Sequence, residues 1–407
     1  MTSRRGFRLA VATLLFVTAT GIQIVGASPS TNAILGQGNR LGLERDLGFL
    51  ASDATQGRDN DTPGSTLAQN YLIGELKHFA VGANTSSTGD DAFKQPMPGG
   101  TNIVAMIPGR APTNEYVLVG AHYDHLGNGC RSSDPNDDVC NGATDNAAGV
   151  ANVLSIGREI AQRPGAPRRT VVLAFWDREE DGLLGSAFYV RNPLVPLAQT
   201  VGYVNYDIQG ANLLPSLERD TFAIGAETGG ARLQSLVRSS AQHGPLDTHS
   251  LSAIFGENRS DYVNLIGAGV PTVFYSDATG PCYHTAQDGI RAVDFWKLGF
   301  EARMGLQTVE GLVDGARPSF SGSNPLATYG DAVALQPTVN KAMADIGRFS
   351  MSDRSTLLQL RADVNRIVAE GPANFDSADV GTMLGEAAAV VQILNSGPCA
   401  GFQKPGN

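Results

Sequence analysis

The chain has 407 residues, 42% of them apolar and 17% charged, which is enough to bury a full-sized core and argues against a disordered, fibrous or membrane-embedded protein. Its formal charge of -10 excludes nucleic acid as a partner, because a DNA or RNA binder needs a basic face and no Lys/Arg cluster follows the N-terminal segment.

Residues 1–27 read as a signal peptide: Arg4, Arg5 and Arg8 precede an apolar run from Leu9 to Gly26, and Val25-Gly26-Ala27 is a small-residue cleavage pattern. Ser3-Arg4-Arg5-Gly6-Phe7-Arg8-Leu9 resembles a twin-arginine signal, which exports proteins already folded. The expectation is a bacterial protein of the periplasm or exterior, with Ser28 as its first mature residue and no stable membrane insertion of the mature chain. Loss of three arginines takes the charge from -10 to -13. An uncleaved anchor is the weaker reading, since Thr, Gln and Gly interrupt a run barely of spanning length.

From about Leu41 the sequence predicts a helix, then a polar glycine-rich stretch (Asp53 to Ser65), then a second helix over Thr66–Phe79. After a polar loop come short apolar runs suited to buried, mostly parallel strands: 102–107, 116–120, 170–175, 201–206, 221–224 and 271–275. Between them, Val150, Val153, Leu154, Gly157, Ile160 and Ala161 mark one face of a packed helix. The fold class predicted is an α/β three-layer sandwich with a mostly parallel central sheet flanked by helices. This domain is assigned to residues 28–317. Beyond Pro318 the strand-like runs stop, and 318–407 reads as a helical C-terminal extension with helices near Ser355–Glu370 and Ser377–Asn395.

The four cysteines suit an oxidising compartment. Cys130 and Cys140 bound a polar loop with little apolar content to order it, and a disulfide there would clamp it. Cys282 and Cys399 remain as a second pair by elimination. No C-x-x-C spacing points to a thiolate metal site.

Acids and imidazoles gather where the predicted strands end, which is where open α/β sheets place their functional groups. His122 and Asp124 follow one strand, Asp145 opens a helix, Glu179 and Glu180 follow Phe175-Trp176, Asp207 follows Tyr206, and His284 lies a loop after Tyr275. Singly, Asp145 reads as a helix cap, His122 and His284 as satisfied buried histidines, and Glu179-Glu180-Asp181 as a solvated loop. Together they would bury several negative charges, each costly without a partner, so a cation is the natural compensation. Imidazole plus carboxylate without thiolate suits zinc with an open position for water.

Gly120-Ala-His122-Tyr-Asp124-His, Gly142-Ala-Thr-Asp145-Asn-Ala-Ala-Gly149, Phe175-Trp-Asp-Arg-Glu179-Glu180-Asp-Gly, Asn205-Tyr-Asp207 and Tyr283-His284-Thr, in this order, resemble the M28 family of co-catalytic zinc aminopeptidases over about Leu41–Asp288. The resemblance implies two Zn2+ per chain. His122 and Asp207 would hold one, Glu180 and His284 the other, and Asp145 would bridge them. It implies Glu179 as general base, Asp124 as the carboxylate that fixes the ring of His122, and Tyr283 as a donor to the developing oxyanion. It also implies a cis peptide at Asp145-Asn146. Tyr262 stands where the family usually has histidine, after Ser260-Asp261, which leaves the metal set complete and alters the pocket wall. His125, His243 and His249 are set aside as non-ligands, and His78 as surface.

The activity implied is removal of single N-terminal residues from peptide substrates. A carboxypeptidase or a glutaminyl-cyclase-like enzyme on the same fold is the alternative. Readings from another class are a receptor-like domain that has lost its metals, and a metal-binding protein whose C-terminal helices dock a partner. The complete ligand set opposes the former, and an exposed apolar stripe on the helices would mark the latter.

Overall fold

The computed structural model describes residues 37–110, 114–324, 326–396 and 399, so the signal-peptide expectation for residues 1–27 lies outside the described residues. Among the described residues, no helix is long and apolar enough to cross a membrane. In chain order the elements are α1 (Gln37–Leu50), α2 (Pro63–Leu76), β1 (Val81–Gly82), β2 (Lys94–Met97), β3 (Gly100–Ile107), β4 (Tyr116–His122), α3 (Ala148–Gln162), β5 (Thr170–Trp176), α4 (Leu184–Arg191) and β6 (Thr200–Tyr206). They continue with β7 (Asp220–Ile224), α5 (Gly230–Ala241), β8 (Asp247–Leu251), α6 (Tyr262–Gly267), β9 (Thr272–Ser276), α7 (Phe295–Asp314), α8 (Tyr329–Ala342), α9 (Met351–Glu370) and α10 (Ser377–Ser396).

Nine strands among the described residues form one mixed sheet of order β1-β3-β5-β4-β6-β9-β7-β8, with β2 paired to β3. Its centre, β5-β4-β6-β9, is parallel, and antiparallel pairing enters towards the edges, at β3–β5 and β7–β9. Side chains alternate between faces as the pleat requires. Val117, Val119, Val171 and Leu173 pack into one layer with α1, α2, α3 and α7. Leu118, Val172, Ala174 and Trp176 pack on the other face against Tyr189 of α4 and Leu265 of α6. This is a three-layer α/β sandwich. β4 has β5 on one side and β6 on the other, so the chain reverses direction across the sheet there and opens a crevice at the carboxyl end of β4. His122 is its last residue.

Element starts differ from the periodicity reading where capping decides. α2 begins at Pro63 rather than Thr66, because the Thr62 side chain accepts from Ser65 N and Pro63 takes the first turn, where its missing N–H has no consequence. α9 likewise begins at Met351, four residues before the predicted start, with the Ser350 side chain accepting from Asp353 N. The C-terminal helices pack onto the sandwich: residues of α8 and α10 join β7, β8 and β9 side chains in one apolar cluster. Lys341 of α8 bridges Asp220 and Asp247 at 2.9 and 2.6 Å. Both cysteine pairs are disulfides, Cys130–Cys140 and Cys282–Cys399.

Candidate metal centre

Five backbone segments bring the predicted site residues to one rim. Asp145 lies at the centre of the cluster. Its Oδ1 is 3.2 Å from His122 Nε2 and its Oδ2 is 3.2 Å from His284 Nε2. Asp207 Oδ1 lies 3.3 Å from the same His122 nitrogen, and Glu180 Oε2 lies 3.3 Å from the same His284 nitrogen. Two donor groups, His122-Asp145-Asp207 and His125-Asp145-Glu180-His284, thus share one carboxylate, with one oxygen towards His122 and the other towards His284. Zinc–N and zinc–O bonds of about 2.0–2.1 Å in a tetrahedron separate neighbouring donors by about 3.3 Å. All four separations match that edge. Although two carboxylate oxygens lie so close, His284 Nε2 makes no hydrogen bond, as expected of a nitrogen whose lone pair faces a cation rather than a proton donor. The donor set and its spacing fit two zinc ions.

The supports of these side chains are local. Gly142 has φ +53°, and a Cβ there would meet Asp145 O at 2.2 Å and the His125 ring at 2.5 Å, so only glycine permits the turn. The Asp145-Asn146 peptide is cis, as the resemblance implied. Asn146 donates to Tyr206 O (2.8 Å) and accepts from Gly149 N (3.1 Å), tying the loop to β6 and to the first turn of α3. Asp124 accepts from Glu179 N and Glu180 N at 3.1 and 3.2 Å; its carboxylate is 3.5 Å from His122 Nδ1, and its backbone oxygen is nearer, at 3.2 Å. It therefore shapes the Glu179-Glu180 turn as much as the imidazole. Glu179 Oε2 sits 4.0 Å from His122 Nε2, and its side chain lines a cleft of about 80 Å³ with Asp145, Asp207, Arg259 and Tyr283. Tyr283 stacks on His284 with ring centroids 3.7 Å apart and accepts from Arg259 Nη2 at 3.1 Å.

Burial and crowding set the charges. Burial, with Asp207, Asp261 and Glu180 nearby, holds the Glu179 carboxyl well above its usual range despite His122. Burial pushes Glu180 the same way, yet the hydrogen bond from His125 and the close imidazole of His284 outweigh it and bring it down to about 2. Burial alone would lower the imidazoles, but Glu179 and Asp207 hold His122 well above its usual value, and the Asp145 and Glu180 carboxylates beside it raise His284 to about 10. Without metal the cluster therefore compensates its carboxylates with protons on imidazole, the positions a cation would take. Burial also keeps the Tyr283 phenol protonated through the neutral range.

Residues 102–303 match the profile of peptidase family M28. The chain belongs to peptidase family M28. Among curated relatives, it is 28% identical over 255 residues to a vacuolar membrane protease of Pyrenophora tritici-repentis, covering 56% of this chain and 23% of that one. It is also 28% identical over 216 residues to a probable glutamate carboxypeptidase of Zea mays, covering 46% and 26%. The chain thus spans about a quarter of the length of these relatives. Among solved structures, the LapA aminopeptidase of Legionella pneumophila superposes with a TM-score of 0.56 at 16% identity, covering 75% of this chain and 81% of that one. A Zn-dependent exopeptidase from Parabacteroides distasonis superposes with a TM-score of 0.53 at 19% identity, covering 70% and 99%. At these identities the likeness is one of fold.

Several residues that serve the M28 site carry little signal in sequence. His125, set aside as a non-ligand, donates from Nδ1 to Glu180 Oε1 at 2.6 Å and so fixes the carboxylate facing His284. Its position three residues after His122 was the available hint. Asp288 accepts from Thr144 N and Asp145 N at 3.0 and 3.1 Å, anchoring the backbone that carries the shared carboxylate. Arg58, outside the matched segment, is fully buried and donates to the carbonyls of Leu50, Tyr123, Asn141 and Gly142. Tyr262, in place of the family histidine, stacks on Phe274 of the cleft wall and does not reach the cluster. His249 engages Asp220, and His243 bonds Ser239 O, both away from the site.

Proposed function

We propose that this M28 protein is a two-zinc exopeptidase that releases N-terminal residues from peptides. The observation that carries the reading is the Asp145 carboxylate, which sets one oxygen against His122, the imidazole beside Asp207, and the other against His284, the imidazole beside Glu180. His122 and Asp207 would hold one zinc, Glu180 and His284 the second, with Asp145 common to both. Bound zinc supplies Lewis acidity at the scissile carbonyl and lowers the pKa of water. Glu179 faces the cleft, takes the proton of the attacking water and passes it to the leaving amine. Tyr283, protonated and steadied by Arg259, donates to the carbonyl oxygen as negative charge develops there. The carboxylates around the cleft attract a free α-amine. Two disulfides accord with an exported protein.

A carboxypeptidase is the second reading, favoured by Arg259, whose guanidinium lines the cleft and can receive a terminal carboxylate. The test is zinc content together with hydrolysis of aminoacyl-p-nitroanilides and of N-acylated dipeptides, by wild type and Glu179→Ala. Two zinc ions per chain in both proteins, with anilide hydrolysis only in wild type, is the expected result. Hydrolysis of the acylated dipeptides alone would move the assignment to the carboxyl terminus, and failure to bind zinc would overturn the reading.

A further inference from the structure

A second cavity lies against the cleft. It measures about 170 Å³ and is walled by β7, β8 and the loops beside them on one side and by α8, α9 and α10 on the other. Thr338 is the one polar side chain among the described residues that line it. Native interiors hold few voids larger than a water molecule, and an apolar void of about 150 Å³ stays dry and admits a benzene-sized guest. This one is not sealed from the chemistry: Ile224, Phe255, Ala278 and Val391 line both it and the cleft that contains Asp145, Glu179 and Asp207.

Val391 belongs to α10, far outside the segment that matches the family, so the C-terminal extension contributes a wall to the cleft itself. Its position is fixed twice. The cluster that includes Leu394 and Val390 packs it on β7 and β9, and the Cys282–Cys399 disulfide ties the chain just past α10 to the residue before Tyr283.

Resting on the exopeptidase reading above, we infer that the C-terminal helices complete the substrate side-chain pocket, and that the cavity behind Phe255 and Val391 takes a phenyl-sized or longer apolar side chain of the residue next to the scissile bond. The occupant follows from continuity. A chain bound with its carbonyl at the carboxylate cluster lies in the cleft that Phe255 lines, and beyond that mouth is an apolar space of phenyl size.

Ala387 lines the cavity on α10 but not the cleft, so Ala387→Phe fills the space without touching the catalytic groups. The experiment compares kcat/KM of zinc-loaded wild type and Ala387→Phe on the p-nitroanilides of alanine, leucine, phenylalanine and homophenylalanine. In parallel, it measures the melting temperature of each protein in 1-hexanol. The expected result is at least a tenfold preference of wild type for phenylalanine and homophenylalanine over alanine, reduced to less than threefold in the variant. Hexanol raises the melting temperature of wild type relative to the variant. Hydrolysis of all four anilides without preference, or equal losses on all four in the variant, overturns the inference and leaves the exopeptidase reading standing. If no anilide is cleaved, the exopeptidase reading fails and the hexanol comparison decides the cavity: equal melting shifts in the two proteins overturn its role as an apolar pocket.

Discussion

At the scale of single residues, the site is a problem in charge. Asp145, Glu180 and Asp207 converge in a nearly dry space, and the same geometry that favours a cation makes the side chains interdependent. Asp145→Asn should therefore lose both metals together, measurable as a fall from two zinc ions per chain towards none, whereas Asp207→Asn should spare the half built on Glu180 and His284. Glu179→Ala should keep its zinc and lose about 10²–10⁴ in kcat. In the proposed mechanism Glu179 acts as base only when ionised, and burial raises its pKa, so activity should fall as pH drops, with the acid limb of kcat/KM above the usual glutamate value of about 4.3. Arg58→Met removes a buried cation that serves four carbonyls. Each carbonyl left without a partner costs about 1–3 kcal/mol, and the loss should appear in urea unfolding as well as in metal affinity, because Gly142 and Tyr123 flank ligand segments.

At the scale of elements, function depends on where strands stop. His122 ends β4, and Asp207 follows β6 directly, because parallel neighbours bring their carboxyl ends to the same edge. Sequence made this legible, since continuous runs such as Thr170–Trp176 announce buried strands and the acids follow at once. It did not announce β8, where Asp247-Thr-His-Ser-Leu251 contains a single apolar residue and owes its strand form to pairing with β7. Nor is α7 conspicuous, because Lys297 and Glu301 interrupt its apolar run yet are buried, Lys297 against Asp277 at 3.0 Å. The docking of α8 rests partly on Lys341. Burial would raise Asp220, but hydrogen bonds from His249 and Lys341 outweigh it and lower its pKa, so this contribution is complete above the usual aspartate range and is lost as pH falls through the lowered value. Lys341→Ala should loosen α8 by about 1–3 kcal/mol, read as faster hydrogen exchange in α8 and α10 than in β4.

At the scale of the whole molecule, the two-zinc reading couples the metals to the fold. Without zinc, His284 is held protonated, so loading at neutral pH should release protons, detectable as a buffer-dependent heat of binding, and affinity should weaken as pH falls. Chelation should lower the melting temperature, and free zinc at 100 times its Kd should restore about 2.7 kcal/mol per site. Reduction of Cys282–Cys399 should free the end of the extension, which would be seen as proteolysis beginning near α10 while the sandwich survives.

By itself the sequence determined the sandwich, the family and the set of ligand candidates, because strand runs and ligand blocks are local patterns in which a few neighbouring residues suffice. It also determined the interrupted, polar-bounded loop that Cys130 and Cys140 clamp. Only the tertiary structure decided that Asp145 faces two imidazoles at once, that His125 fixes Glu180, that Arg58 supports the ligand loops from 65 to 84 residues away, and that α10 reaches the cleft. Those are contacts between segments distant in the chain. Their energies depend on separation and burial, and neither quantity exists until the sheet has brought its strand ends to one rim.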